Sequence, residues 1–323
     1  MPSFFLPHLR RVYLGLIVLV VGLLVIISAS PSVALISDDI DNMSSTVTVL
    51  IAKELEKGDV EEIREFNPGS GVIVAHQGNA YYVVTNNHVV EQLIPGRKWG
   101  VRTYDGEVYQ VIDQEQNIIR FGDYKSDEEP IPGFDLALLK FTSKRDYPVA
   151  AMGNSLQMKP NDPVFISGWP NPDDSGARRE RKFFPGVVAK IAESPMSDGG
   201  YNLLYSNYTK RGMSGSPVFN SQGELVAIHG RGRKYLEKYC VDPDLNTNSS
   251  CGIQGIHLIN QIKYKHIELA FNSPPVKSEV IEKGRKNKAK ADVVENIYKL
   301  FTDIRTPLHD CFPSLIFNQP DCN

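Results

Sequence analysis

The chain has 323 residues, of which 41% are hydrophobic and 23% charged, and its formal net charge at pH 7 is -3. That length accommodates more than one hydrophobic core, and the apolar fraction excludes a disordered chain. A charge so close to balance excludes the broad basic face that nucleic acid requires; the basic cluster Lys283, Arg285, Lys286, Lys288 and Lys290 follows the Pro274-Pro275 break and reads as a solvated linker.

The N-terminus carries Arg10-Arg11, an apolar run from Val12 to Ile27 and then the small residues Ser28, Ala29, Ser30, Ser32 and Ala34. This is the layout of a secretory signal, with cleavage expected after Ala34. An uncleaved membrane anchor over residues 12–27 is the alternative, although the run falls short of the about twenty residues that span a bilayer. The apolar core favours the general secretory route over a twin-arginine one. Residues 1–34 are therefore set apart as signal peptide or anchor, and an exported location, periplasmic or extracellular, is expected.

Past a polar lead containing Asp38, Asp39 and Asp41, Ser45–Ile51 reads as a first strand. Short β-branched and aromatic runs then recur between Gly, Pro, Asn and Asp clusters: Gly71 to Val74, Tyr81 to Thr85, Val108 to Ile112, Ile118 to Phe121 and Leu136 to Phe141. A second series covers Pro163 to Ser167, Phe184 to Ile191, Leu203 to Ser206, Ser216 to Phe219, Glu224 to Ile228 and Gly255 to Ile259. Such spacing predicts an all-β fold of antiparallel barrels. Helical periodicity is expected from Gln261 to Phe271 and again from Asp292 to Ile304. The resulting division is residues 35–150 for a first β-barrel, 151–275 for a second with its closing helix, and 276–323 for a helical, cysteine-containing extension of unassigned role.

Cys240, Cys251, Cys311 and Cys322 all lie in the C-terminal third. Export would place them in an oxidising compartment, and equal spacing favours Cys240 with Cys251 and Cys311 with Cys322 among three possible pairings. Zinc is disfavoured, since no ligand set at metal spacing accompanies them. The acidic run Asp127-Glu128-Glu129 lacks the alternating oxygen ligands of a calcium loop. No metal and no cofactor is expected. Asn42, Asn207 and Asn248 open glycosylation patterns.

Three segments carry chemistry. His88 closes the run Tyr81-Tyr82-Val83-Val84-Thr85-Asn86-Asn87-His88, Asp135 opens Phe134-Asp135-Leu136-Ala137-Leu138-Leu139, and Ser214 lies in the turn Gly212-Met213-Ser214-Gly215-Ser216-Pro217. A serine hydroxyl needs a base within hydrogen-bond reach, and imidazole can take and return its proton. A carboxylate on the far ring nitrogen fixes the tautomer and stabilises the imidazolium. Glycines beside the nucleophile let backbone N–H groups, here those of Gly212 and Ser214, converge on an oxyanion.

In this order, over roughly residues 45–265, the segments resemble the chymotrypsin/trypsin-like serine proteases of bacterial type. The resemblance implies a chymotrypsin-like double barrel with an active-site cleft between its halves. His88 would be general base and acid, Asp135 its orienter and Ser214 the acylating nucleophile. Gly168-Trp169-Pro170, a strand exit of Gly-aromatic-Pro, fits many bacterial members. Met213 stands where trypsin-like zymogens carry the aspartate that pairs with a new N-terminus, so activity without that switch is expected. The tail after Phe271 is too short for a PDZ domain of the HtrA kind.

Tyr208 occupies the position at which trypsin-like enzymes carry a pocket Asp, which speaks against Arg or Lys recognition. Thr209 and His229 resemble the pocket of glutamyl endopeptidases, as does the turn Ser214-Gly215-Ser216-Pro217; the substrate would then be a protein or peptide with an acidic P1 residue. Arg231 or Arg233 could add positive potential there. A structural histidine at 229, with a small or apolar P1 preference, remains the alternative. At the level of the whole chain the competing reading is a catalytically silent, protease-like binding or regulatory protein. The oligomeric state is not legible.

Overall fold

The computed structural model describes residues 37–58, 68–91, 96–126, 129–173, 178–232 and 249–272. All of them belong to one compact unit. The apolar run of residues 12–27, the second predicted helix, the basic cluster and Cys240, Cys311 and Cys322 lie outside the described residues, and among those that are described no helix is long and apolar enough to cross a membrane.

The chain enters through helix α1 (Ser37–Val47), which buries Ile40, Met43 and Val47. The expected strand Ser45–Ile51 is thus half helix: β1 runs only over Thr48–Lys53. Spacing explains the difference, since Ile40, Met43 and Val47 share one helical face, and hydroxyls hold the last turn. Ser44 Oγ donates to the Asp41 carbonyl at 2.9 Å, Ser45 Oγ to that of Asn42 at 2.7 Å and Thr46 Oγ1 to that of Met43 at 2.9 Å.

β1 is followed by β2 (Gly69–Gln77), β3 (Ala80–Thr85), β4 (Lys98–Arg102), β5 (Val108–Ile112), β6 (Ile118–Gly122) and β7 (Gly133–Thr142). They form a seven-stranded antiparallel sheet in the order β5-β4-β1-β2-β3-β7-β6. Its buried face carries Val49, Ile51, Ile73, Val83, Trp99, Val101, Leu139 and Phe141. The edge strands β5 and β6 do not pair by backbone, so the first barrel is closed along one seam by side chains. Arg120 on β6 reaches Asp113, just past β5, through two bonds of 3.0 and 2.9 Å.

The second sheet is a closed barrel, β10-β13-β12-β11-β8-β9. Its strands are β8 (Pro163–Gly168), β9 (Lys182–Ile191), β10 (Leu203–Tyr205), β11 (Pro217–Asn220), β12 (Leu225–Arg231) and β13 (Ser250–Gln254). Its core holds Val164, Ile166, Val188, Leu203, Tyr205, Met213, Val218 and Val226. Helix α2 covers Gly255–Tyr264 and buries Leu258 and Ile262. Two expectations are corrected here: Gly255–Ile259 is the start of this helix rather than a strand, and the helix ends well before Phe271. The β13 ladder uses Ser250–Gln254 instead, and His266 takes a positive φ of 53° that ends helical geometry.

Strand register builds the site. Thr85 pairs with Ala137 and Val84 with Leu138 in an antiparallel ladder. Continuing past Thr85 therefore brings the chain alongside Asp135. Elsewhere, Pro217 pairs with Ile228 while the Gly215 N–H donates to the His229 carbonyl at 2.8 Å, which presents the turn before β11 at the end of β12.

Candidate active site

Beyond β3 the backbone tightens into a 3₁₀ turn, Asn87–Val90, that carries His88. Side-chain amides fix this corner: Asn86 Nδ2 donates to the Asp135 carbonyl at 2.8 Å and Asn87 Nδ2 to that of Gly122 at 2.7 Å. The Asp135 carboxylate is fully buried. Its Oδ1 accepts the His88 backbone N–H at 2.9 Å, and its Oδ2 lies 2.6 Å from His88 Nδ1. The Tyr201 hydroxyl also donates to Oδ2. Burial alone would push the Asp135 pKa up; the charge of His88 and the hydrogen bonds from His88 and Tyr201 outweigh it and hold the carboxyl below its usual range.

The serine turn is pinned by the opposite barrel. Ser70 on β2 donates its N–H to the Ser214 carbonyl at 2.7 Å, and its Oγ donates to the Gly212 carbonyl at 2.9 Å while accepting the Trp169 N–H at 2.9 Å. Gly212 and Gly215 adopt φ of +91° and +85°. A Cβ on Gly215 would stand 2.0 Å from the Ser70 carbonyl oxygen, so both the backbone conformation and the close approach require glycine. A Cβ on Gly69 would meet the Val89 methyls at 2.5 Å and the Ser214 carbonyl at 3.1 Å. The serine turn and the residue after His88 thus flank the same point of β2. Ser214 Oγ donates to the Gly230 carbonyl at 3.3 Å.

The amides of this turn have defined directions. The Arg211 carbonyl accepts the Asn171 N–H at 2.7 Å and that of Met213 accepts the Ser216 N–H at 3.0 Å. Across a planar trans peptide the following N–H points the opposite way, so the N–H groups of Gly212 and Ser214 face away from those partners. Among the described residues neither of them donates to a backbone carbonyl. Buried Arg179 supports the loop from below, donating to the Trp169 carbonyl at 2.9 Å and to Asn171 Oδ1 at 2.7 Å.

Thr209 and His229 each have a hydrogen-bond partner within the second barrel. Thr209 Oγ1 lies 2.8 Å from Ser250 Oγ. His229 is buried, with Nδ1 2.7 Å from the Tyr205 hydroxyl. Desolvation, with a smaller contribution from the charge of His88, pushes its pKa down to about 3 despite a hydrogen bond with the Cys251 backbone. It is neutral at ordinary pH. Arg231 pairs with Asp198 at 2.8 and 3.0 Å, Tyr208 is exposed, and Arg233 lies outside the described residues. Asn207 is buried and its Nδ2 bonds the Val164 and Phe184 carbonyls at 2.9 and 2.7 Å, which leaves that glycosylation pattern inaccessible. Met213 is packed in the apolar core of the second barrel.

Three residues of this site escaped the sequence reading: Tyr201, Ser70 and Arg179. Gly199-Gly200 before Tyr201 announces a turn but says nothing of its partner.

Comparison with known proteins agrees with this architecture. The family described as "Trypsin-like peptidase domain" matches residues 69–228, a span that contains His88, Asp135 and Ser214. A probable periplasmic serine endoprotease, DegP-like, of Marinomonas sp. is 31% identical over 166 residues, covering 50% of this chain and 29% of the relative. The serine protease Do-like HtrA of Bacillus subtilis is 26% identical over 174 residues, covering 53% and 35%. The chain thus spans about a third of the length of these relatives. A solved HtrA-type protease with tripeptide shares the fold at a TM-score of 0.51 and 16% identity, covering 72% of this chain and 64% of that one. Residues 69–228 are thus similar to a trypsin-like peptidase domain, and the two-sheet architecture is shared with the HtrA-type protease. The likeness extends to DegP-like and Do-like HtrA serine proteases.

Proposed function

We propose that this chain is an exported serine endopeptidase that cleaves protein or peptide substrates through an acyl-enzyme, with His88, Asp135 and Ser214 as its triad. The observation that carries the reading is the double engagement of His88 by buried Asp135, through its backbone N–H at 2.9 Å and its Nδ1 at 2.6 Å. With Nδ1 engaged by the carboxylate, Nε2 is the ring nitrogen that takes the Ser214 proton in this reading. Turning of the Ser214 hydroxyl away from the Gly230 carbonyl would free it for attack on the scissile carbonyl.

His88 accepts the proton as the tetrahedral intermediate forms, and Asp135 stabilises the imidazolium. The N–H groups of Gly212 and Ser214 receive the oxyanion. His88 then gives the proton to the leaving amine, and water repeats the sequence on the acyl-enzyme. Each oxyanion donor is typically worth about 10²–10³ in rate. Buried Met213 replaces a zymogen ion pair by apolar packing, so no new N-terminus is needed to order the turn. The periplasmic relatives and the N-terminal basic and apolar pattern support export.

An acidic P1 preference belongs to the same proposal only as its finer part. The neutral, Tyr205-bonded His229 favours the competing reading, in which that histidine is structural and P1 selection is not electrostatic. Peptide-library cleavage by the full chain, with Ser214→Ala as blank, tests both parts. Serine-dependent cuts are expected; their clustering after Glu or Asp, abolished selectively by His229→Ala, would establish the acidic pocket, and cuts spread over small or apolar residues would discard it. Cleavage unchanged by Ser214→Ala would refute the triad.

A further inference from the structure

Asp135 receives a hydrogen bond that the His, Asp and Ser set does not itself contain. Tyr201 comes from the segment leading into β10, on the opposite half of the molecule, and its hydroxyl shares Oδ2 with His88 Nδ1. It has no solvent exposure, so water does not compete for the phenol. Burial, and next the negative charge of Asp135, raise its pKa well above 10 and keep it a donor at any working pH.

The surrounding contacts hold Tyr201 in register with the carboxylate. The Asp135 N–H donates to the Gly199 carbonyl at 2.9 Å, the Gly199 N–H to that of Ile131 at 2.9 Å, and the Ile131 N–H to Asp198 Oδ1 at 2.8 Å. Arg231, paired with Asp198, lies over the Tyr201 ring with its guanidinium carbon 4.7 Å from the centroid. Arg231 also follows Gly230, whose carbonyl accepts the Ser214 hydroxyl. One connected set therefore runs from the end of β12 through Tyr201 to the triad carboxylate.

We propose that Tyr201 is a positioning residue for the triad: its hydroxyl fixes the Asp135 carboxylate and draws charge from Oδ2, so the second barrel sets how strongly Asp135 stabilises the His88 imidazolium. This rests on the triad reading above. Removing the donor returns charge to the carboxylate, which then favours protonated His88 more strongly; a stronger donor does the reverse. The charged and titratable groups around the cluster are Asp198 and Arg231 on one side, neutral His229 behind, and Tyr124 beside the His88 ring.

The test uses the full chain with Tyr201→Phe, which keeps the ring, and with 3-fluorotyrosine at the same position, which keeps the packing and donates more strongly. The His88 imidazole is titrated by NMR, and kcat and KM are measured on a cleaved peptide with Ser214→Ala as blank. Tyr201→Phe is expected to raise the His88 midpoint by about 0.5 pH unit or more and to lower kcat about tenfold with KM within about twofold. Fluorotyrosine is expected to move the midpoint down. Midpoints unchanged in both, or moved in the same direction in both, would overturn the proposal. Should Tyr201→Phe not fold, the fluorotyrosine titration decides alone. Failure of the triad reading would show separately, as turnover insensitive to Ser214→Ala, and the proposal would fall with it.

Discussion

His88 and His229 sit within one electrostatic neighbourhood but in different surroundings. His88 faces a buried carboxylate at 2.6 Å, whereas His229 is buried against the Tyr205 hydroxyl, and desolvation lowers its pKa to about 3. Between its ordinary value of 6.5 and about 3 the unfolded chain binds the proton that the folded one refuses. Stability from this group is therefore complete above about pH 6.5 and is lost as pH falls, at up to about 1.4 kcal/mol per pH unit. Denaturant titrations between pH 6 and 4 should show a shallower decline in His229→Gln than in the parent; parallel declines would mean that His229 is protonated in the fold. Asp135 acts lower on the scale: its depressed pKa contributes stability that is present above the ordinary carboxylate value and lost as pH falls through the folded one. At the reacting atoms, Ser214→Ala and His88→Ala should each reduce kcat/KM by about 10⁴-fold or more, and the double variant by little beyond either, because the two act as a unit.

Elements, more than single residues, explain what the sequence could announce. His88 and Asp135 were legible because each ends or begins a strand of strong β pattern, and the Thr85–Ala137 pairing then obliges them to meet. Ser214 was legible because a turn of small residues needs its glycines. β4 was not, since Lys98-Trp99-Gly100-Val101-Arg102 offers only two large apolar residues; Trp99 and Val101 enter the first core, and Leu55 closes onto Gly100 between them. The last turn of α1 was misread because Ser45 and Thr46 lead directly into a β-branched run, until their hydroxyls are seen bonding back along the helix. Tyr201 could not be read at all: its partner is 66 residues distant and is reached only once both barrels exist. The seam of the first barrel makes a prediction of its own. Arg120 bridges to Asp113 and also donates Nε to the Val90 carbonyl at 2.9 Å, inside the His88 turn. Removing one member of so buried a pair typically costs about 3 kcal/mol, so Asp113→Ala should lower the unfolding free energy by about that much in urea titrations. At the serine turn, Gly215→Ala should eliminate activity, since its Cβ would displace Ser70 or the turn itself.

Taken whole, the described unit is two sheets joined around a shared set of hydrogen bonds: Ser70 from the first holds the serine turn of the second, and Tyr201 from the second holds the aspartate of the first. Neither half carries the site alone, so a disturbance of barrel docking should reach catalysis before it reaches either core. The match of residues 69–228 to a trypsin-like peptidase domain is in keeping with the polypeptide substrates proposed above. The central claim is that Ser214 is an activated nucleophile. Its most direct measurement is labelling of the full chain with a fluorophosphonate, located by mass spectrometry and repeated on His88→Ala. The account predicts one adduct, on Ser214, lost in the histidine variant; an unlabelled serine in the folded parent, or an adduct that survives His88→Ala, would contradict it.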